Sequence, residues 1–281
     1  KKNFGTNSIE YGTALLFLGK SERWLGETKK AITIYQKCIE IFEKQDPFIE
    51  GIIAVSVLLG DILIDAGSYA EAENYILKAI KLCEENNVRN RGYYNNLLNL
   101  GRLYLTLGKN EQAEKYFQKS IEQIPASEYS DLATTQSNLS LLFLDNGDFE
   151  KAEKYCKLGL KNYKKVKPKP NYYIARSQFN YASILGMKGD IEKALKLIEE
   201  TKTEFKNILT SEDINSVKNN LASIFLDLDY YEKAGTLFKE VLANRKETLG
   251  ENHIKYIITL GNMGRYYLGI DDFGNAQYYF D

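Results

Sequence analysis

The sequence predicts an all-α protein, a right-handed α-solenoid of about seven helical hairpins occupying residues 1–281 as one domain. Three observations predict it. A turn signature returns at an almost constant interval, small and bulky residues keep fixed offsets from that turn, and proline is nearly absent from the stretches between. Self-similarity at such a period marks repeat architectures, in which each unit buries its apolar face only by stacking on its neighbours.

The turn is the clearest element. Gly67-Ser68-Tyr69-Ala70-Glu71-Ala72 recurs as Gly108 to Ala113, Gly147 to Ala152 and Gly189 to Ala194, with weaker copies at Gly26 to Ala31, Asp229 to Ala234 and Asp271 to Ala276. The anchor alanines Ala31, Ala72, Ala113, Ala152, Ala194, Ala234 and Ala276 are separated by 41, 41, 39, 42, 40 and 42 residues. Gly or Asp at the turn is expected to end the first helix of each hairpin, helix A, in a left-handed or capping conformation. Twelve residues before each anchor stands a small residue: Gly19, Gly60, Gly101, Ser140, Ala182, Ala222 or Gly264. Four residues after it comes a mostly bulky one: Tyr35, Ile76, Phe117, Cys156, Ile198, Phe238 or Phe280. Nine before it stand Leu63, Tyr104, Phe143, Leu185, Phe225 and Tyr267, with Glu22 in the first copy. Small against large at fixed helical offsets lets paired helices interlock. Four prolines in 281 residues, none inside a strongly helical stretch, agree with a helical chain.

Together the Leu-Gly pair, the aromatic, the Ala and the Phe resemble the tetratricopeptide pattern of two antiparallel helices. Pro125, twelve residues past Ala113, falls where that family places its terminating proline. The period of about 40 exceeds the family's 34, so helix B or the inter-repeat loop is longer. Asn244 to His253, followed by Thr259 to Tyr267, resembles the long repeats of kinesin light chains, and related long repeats occur in bacterial regulatory proteins. The resemblance covers essentially the whole chain and implies the fold. It leaves function open, because the repeat hosts unrelated roles. The chain begins Lys1-Lys2-Asn3 and stops one residue after Phe280, part-way through the expected last helix, so it reads as a piece of a longer protein.

Composition narrows the function classes. With 37 basic against 38 acidic residues, the chain lacks the basic excess that nucleic acid or an anionic membrane rewards. No apolar run approaches the ~18 residues of a membrane span. Cys38, Cys83 and Cys156 are odd in number, widely spaced and set in helical apolar patterns, which reads as small core residues in a reducing, cytoplasmic setting. The one histidine, His253, lies in an inter-repeat loop far in sequence from every cysteine. No zinc-protease, P-loop or dinucleotide motif is present, so no catalytic residue, metal ligand or cofactor is expected. Asp271-Asp272 reads as turn chemistry, and Lys161 to Lys169 with Pro168 and Pro170 as a solvated linker before a binding patch. The sequon Asn138-Leu139-Ser140 falls mid-helix and is discounted.

One pattern exceeds the needs of the fold. Fourteen residues before the last five anchors stand Asn99, Asn138, Asn180, Asn220 and Asn262. Asparagine is a poor helix-interior residue, because its side chain competes for backbone hydrogen bonds. In the resembled architecture helix A lines the concave groove, and similar asparagines there are associated with peptide binding. An amide offers both a donor and an acceptor to an extended backbone. The alternative is an asparagine bonded to water or to a neighbouring repeat. Five such hydrogen bonds supply roughly 2.5–7 kcal/mol, short of the ~8 kcal/mol of micromolar affinity, so side-chain pockets must contribute. Helical offsets place Asn95, Arg102, Arg176, Phe179, Ser183, Asn219 and Arg265 at the flanks of the ladder. These cations suit an acidic or carboxylate-bearing ligand, although Asp61, Asp65, Asp145 and Asp227 project from similar faces. Phe17 and Leu58 break the ladder in the first two repeats, so that end is expected to be apolar, filled by Trp24 and its neighbours or by a second chain. The leading expectation is a scaffold that binds a protein or peptide segment in the groove. The alternatives, carried by the resemblance, are the sensor arm of a larger enzyme (a caspase-like CHAT protease or a signalling NTPase) and a structural oligomerisation module.

Overall fold

A computed structural model describes residues 8–44, 48–168 and 171–281. Among them are fourteen α-helices, and their hairpins follow the repeat read from the sequence. The chain divides into two compact units, residues 1–142 and 143–281.

The first unit holds α1 (Ile9–Trp24), α2 (Thr28–Glu43), α3 (Ile49–Asp65), α4 (Tyr69–Glu85), α5 (Arg91–Thr106), α6 (Asn110–Gln123) and most of α7 (Tyr129–Asp145). Odd-numbered helices are the A helices of the repeat and even-numbered ones the B helices. In it α1 packs on α2, α3 on α4 and α5 on α6, and α3 also packs on α5. The interlock expected between small and bulky positions is present in atomic detail. A Cβ added to Gly101 would lie 2.5 Å from the Phe117 ring, and one on Gly19 would lie 2.5 Å from Tyr35. Phe117 and Tyr35 are fully buried. The helix-A backbone therefore rests on the ring of helix B, which a larger side chain would push away. After α6 the chain turns at Ile124, whose extended ψ of 122° is the conformation required before Pro125.

The second unit holds the end of α7 with α8 (Phe149–Tyr163), α9 (Asn171–Met187), α10 (Ile191–Glu204), α11 (Ser211–Asp227), α12 (Tyr231–Leu249), α13 (Ile254–Gly269) and α14 (Phe273–Phe280). Its core runs through Ala182, Leu185, Ile198, Leu221, Phe225, Phe238 and Met263. Here α8 packs on α9, α9 on α10, α11 on α12, α12 on α13 and α13 on α14, and α11 also packs on both α9 and α13.

The hairpin turns obey one rule in both units. Gly67 and Gly108 take φ of 77° and 69°, and Asp229 and Asp271 take 62° and 59° at the equivalent place. The amide of the next residue reaches back across the turn: Lys109 N donates to Tyr104 O at 2.8 Å, and Tyr230 N to Phe225 O at 2.8 Å. Gly108 N donates to Leu105 O at 3.0 Å and completes the pattern of a left-handed helix stop. The residues nine before each anchor thus have two tasks. Their side chains fill the core or its margin, and their carbonyls close the turn.

Other expectations fall into place. Asp272 caps α14 by accepting from Asn275 N at 3.1 Å, so Asp271-Asp272 is turn chemistry. Asn138-Leu139-Ser140 lies inside α7. Lys1, Lys2 and Asn3, and the Lys169-Pro170 part of the lysine-rich stretch, lie outside the described residues. No helix among the described residues is long and apolar enough to cross a membrane.

Candidate functional site

The five ladder asparagines all lie on A helices, with Asn99 and Asn138 in the first unit and Asn180, Asn220 and Asn262 in the second. Their surroundings separate them into two kinds. Asn99 is 4% exposed and its Nδ2 donates to Val57 O at 2.9 Å, across from α5 to α3. Asn262 Nδ2 donates to Asn219 Oδ1 at 3.3 Å, across from α13 to α11. Asn138 Nδ2 turns back to Thr134 O at 2.9 Å in its own helix. These three amides serve the fold. Asn180, half-buried on α9, and Asn220, exposed on α11, have no hydrogen-bond partner among the described residues. They stand on adjacent, packed A helices.

The flanking residues divide in the same way. Arg102 donates to Asp61 and, at 3.4 Å, to Asp65 of α3, and Asp61 also accepts from Arg23. Arg265 pairs with Asp227 of α11 at 2.9 Å. Both arginines stand eleven residues before their anchor, and Asp65 and Asp227 both stand seven before the preceding anchor. The same ion pair therefore ties successive A helices in two places. Arg176 alone of the three predicted cations is exposed and without a counter-ion among the described residues. Ser183 Oγ donates to Phe179 O at 3.3 Å, and Asn95 is half-buried. Phe179 (4% exposed) packs in the core of the second unit, and Asn219 (6% exposed) is occupied by Asn262, so both support the face from beneath. At the other end Phe17 is 62% exposed and Leu58 half-buried. Trp24 does not fill that end: it is 87% exposed. It is the last residue of α1, roughly 140° around the helix from the core-facing Gly19.

Groups with catalytic potential are engaged elsewhere. His253 caps α13, its Nδ1 accepting from Lys255 N at 3.2 Å. All three cysteines are buried and none is in a disulfide, and burial pushes the Cys38 and Cys83 thiols up to about 11, away from the thiolate form.

Sequence reasoning passed over two polar clusters. Arg245 is 3% exposed, yet all five of its N–H groups are used. Nε and Nη2 grip Glu212 at 3.2 and 2.7 Å, Nη2 also reaches Ser216 Oγ at 3.3 Å, and Nη1 donates to Lys255 O at 3.1 Å and Thr259 Oγ1 at 2.7 Å. Burial would raise the Glu212 pKa, but hydrogen bonds from Arg245, Ser216 and Lys255 outweigh it and hold the carboxyl at about 2. The cluster fastens α11, α12 and α13 together. In the first unit Asn96, fully buried, donates to Ile53 O at 3.3 Å and Gly92 O at 2.9 Å. Its sequence signal was available: an asparagine three residues before Asn99, on an otherwise apolar face.

Comparison with known proteins agrees with the helical-repeat fold. A tetratricopeptide-repeat model matches residues 51–125, 131–202 and 213–281, and a second one matches residues 13–44. Searching curated proteins finds no sequence match. Among solved structures, the apo quorum sensor NprR from B. thuringiensis superposes with a TM-score of 0.73 at 14% identity, covering 95% of this chain and 73% of that one. A Rap protein complexed with Competence and Sporulation Factor gives 0.67 at 14% identity, covering 95% and 72%. A putative kinesin light chain from Podospora anserina gives 0.55 at 18% identity, covering 70% and 95%. At these identities the likeness is one of fold.

Proposed function

Because the chain belongs to the tetratricopeptide-repeat family, we propose that it is a non-catalytic scaffold that holds an extended protein or peptide segment along its A helices. The observation that carries this reading is the pair of unpartnered amides, Asn180 and Asn220, on the adjacent helices α9 and α11. An unpaired amide on a helix has no conformational reason to be there. Adjacent packed helices lie about 8–10 Å apart, and a polyproline-II-like segment presents the same face every three residues, ~9.3 Å along its axis. Two amides at that interval suit backbone groups three residues apart, whatever the side chains. Arg176, one turn before Asn180, adds a cation for an acidic side chain or a carboxylate. The Rap protein complexed with Competence and Sporulation Factor supports the reading, since a chain of this fold is there in complex with that factor.

Selection from a displayed library of random linear peptides tests the proposal. Peptides that bind the parent chain and lose binding to Asn180→Ala/Asn220→Ala support it. A library that yields no binder, or binders indifferent to the double substitution, contradicts it.

A second reading, a sensor arm within a larger protein, draws on the likeness to the quorum sensor NprR, which is longer than the part this chain covers. Sequencing the coding region past residue 281 tests it. A Cys–His dyad or a P-loop there supports a fused enzyme, and a short polar capping helix followed by a stop codon rules it out.

A further inference from the structure

Between Glu153 and Asp190 the sequence contains no Asp or Glu, yet it carries nine Lys and Arg. The whole chain has 37 basic and 38 acidic residues, so outside this stretch 28 cations face 38 acids. A chain that is nearly neutral overall therefore concentrates positive charge in residues 154–189. Solubility does not require this, because intermixed charges serve it equally well.

The structure shows how the charge is presented. Lys161 sits in the last turn of α8, Lys164 and Lys167 in the connection that follows, and Arg176 in the second turn of α9. All four are exposed, and among the described residues none of them makes an ion pair. This contrasts with Lys157 and Lys188 of the same stretch, which share Glu153 at 2.6 and 2.7 Å. Three tyrosines join the end of α8 to the start of α9. Tyr163, buried, stacks on Tyr173 with ring centroids 5.6 Å apart, and Tyr172 meets Tyr173 edge-on at 5.7 Å. Tyr172 and Tyr173 remain 42% and 49% exposed. The end of α8 and the start of α9 thus present exposed tyrosine rings together with exposed cations that make no ion pair among the described residues.

We infer that Lys161, Lys164 and Lys167, with Tyr172 and Tyr173, form a docking surface at the end of α8 and the start of α9 for an acidic segment of a partner protein, a short run of Asp and Glu. Carboxylates would take the lysine ammonium groups and the tyrosine hydroxyls as donors, and their aliphatic stems would lie on the exposed ring faces. A short segment fits because the excess positive charge is local. A nucleic acid would extend beyond the patch onto a surface with an acidic excess, and affinity for such a polyanion grows with the number of phosphates neutralised. An anionic membrane needs a broader basic area together with apolar side chains that insert into it.

Fluorescence anisotropy with a labelled deca-glutamate peptide tests the inference, with a uridine decamer and phosphatidylserine vesicles measured alongside. The expected result is saturable peptide binding that weakens with salt. Lys161→Ala/Lys164→Ala/Lys167→Ala should weaken it about tenfold, with an unchanged far-UV melting curve. The triple Lys→Arg substitution should retain it. No binding of the peptide, equal binding by the alanine variant, or tighter binding of the oligonucleotide or the vesicles would each overturn the proposal. None of these substitutions touches Asn180, Asn220 or Arg176, so a loss on lysine substitution reports this surface and not the A-helix face.

Discussion

Single residues decide whether a polar group serves the fold or stands ready for a ligand. Asn99 and Asn220 occupy the same register position, yet one is buried against Val57 O and the other exposed with no partner among the described residues. Asn99→Ala should cost about 1 kcal/mol in a denaturant titration, whereas Asn220→Ala should leave the midpoint unchanged. Arg245 carries more. Removing it leaves Glu212 in a half-buried site without its main partner, and Arg245→Ala should cost about 3 kcal/mol by the same titration. The Glu212 cluster also fixes a pH dependence. A carboxyl held at about 2, below the ~4.3 of an unfolded chain, contributes its stabilisation fully above that higher value and loses it as the pH falls towards 2. Glu153 behaves likewise: hydrogen bonds from Lys157 and Lys188 hold it at about 2. Thermal melts should therefore fall steeply between pH 4 and 2 in the parent chain. In Arg245→Ala the slope should be shallower, because one of the two carboxyls has lost its main partner.

At the scale of the helical hairpin, the sequence was easiest to read. Every turn it marked is a left-handed stop, and Gly101 and Gly19 lie against the rings of Phe117 and Tyr35, as the offsets required. These features are legible because they depend on residue type at a fixed spacing. Two glycines of one hairpin separate the two kinds of requirement. A Cβ on Gly108 meets nothing within 4 Å, so Gly108→Ala should cost only the left-handed penalty of about 1 kcal/mol. Gly101→Ala must displace the Phe117 ring and should cost at least twice that, about 2–3 kcal/mol. Equal losses in paired denaturant titrations would refute the close-packing account.

For the whole molecule, the helical architecture followed from periodicity and the family from the resemblance of its repeat, whereas the division of labour among the asparagines followed from neither. Periodicity says which residues share a register position. It does not say which neighbour fills the space beside each one: Asn262 finds Asn219, Arg102 finds Asp61, and Trp24 finds solvent. Those outcomes depend on pairs about 40 residues apart, where one substitution in an adjacent repeat turns a free amide into a tied one. The charge excess of residues 154–189 was visible in the sequence, but that Lys161, Lys164, Lys167 and Arg176 make no ion pair among the described residues needed coordinates.

The central claim is that the A-helix face holds an extended segment through Asn180 and Asn220. The most direct measurement is isothermal titration of the best library-selected peptide against the parent chain and against Asn180→Ala/Asn220→Ala, each checked by its melting curve. The account predicts binding to the parent, at least tenfold weaker binding to the variant, and identical melting. Equal affinity for both chains would contradict it and move the ligand to another surface.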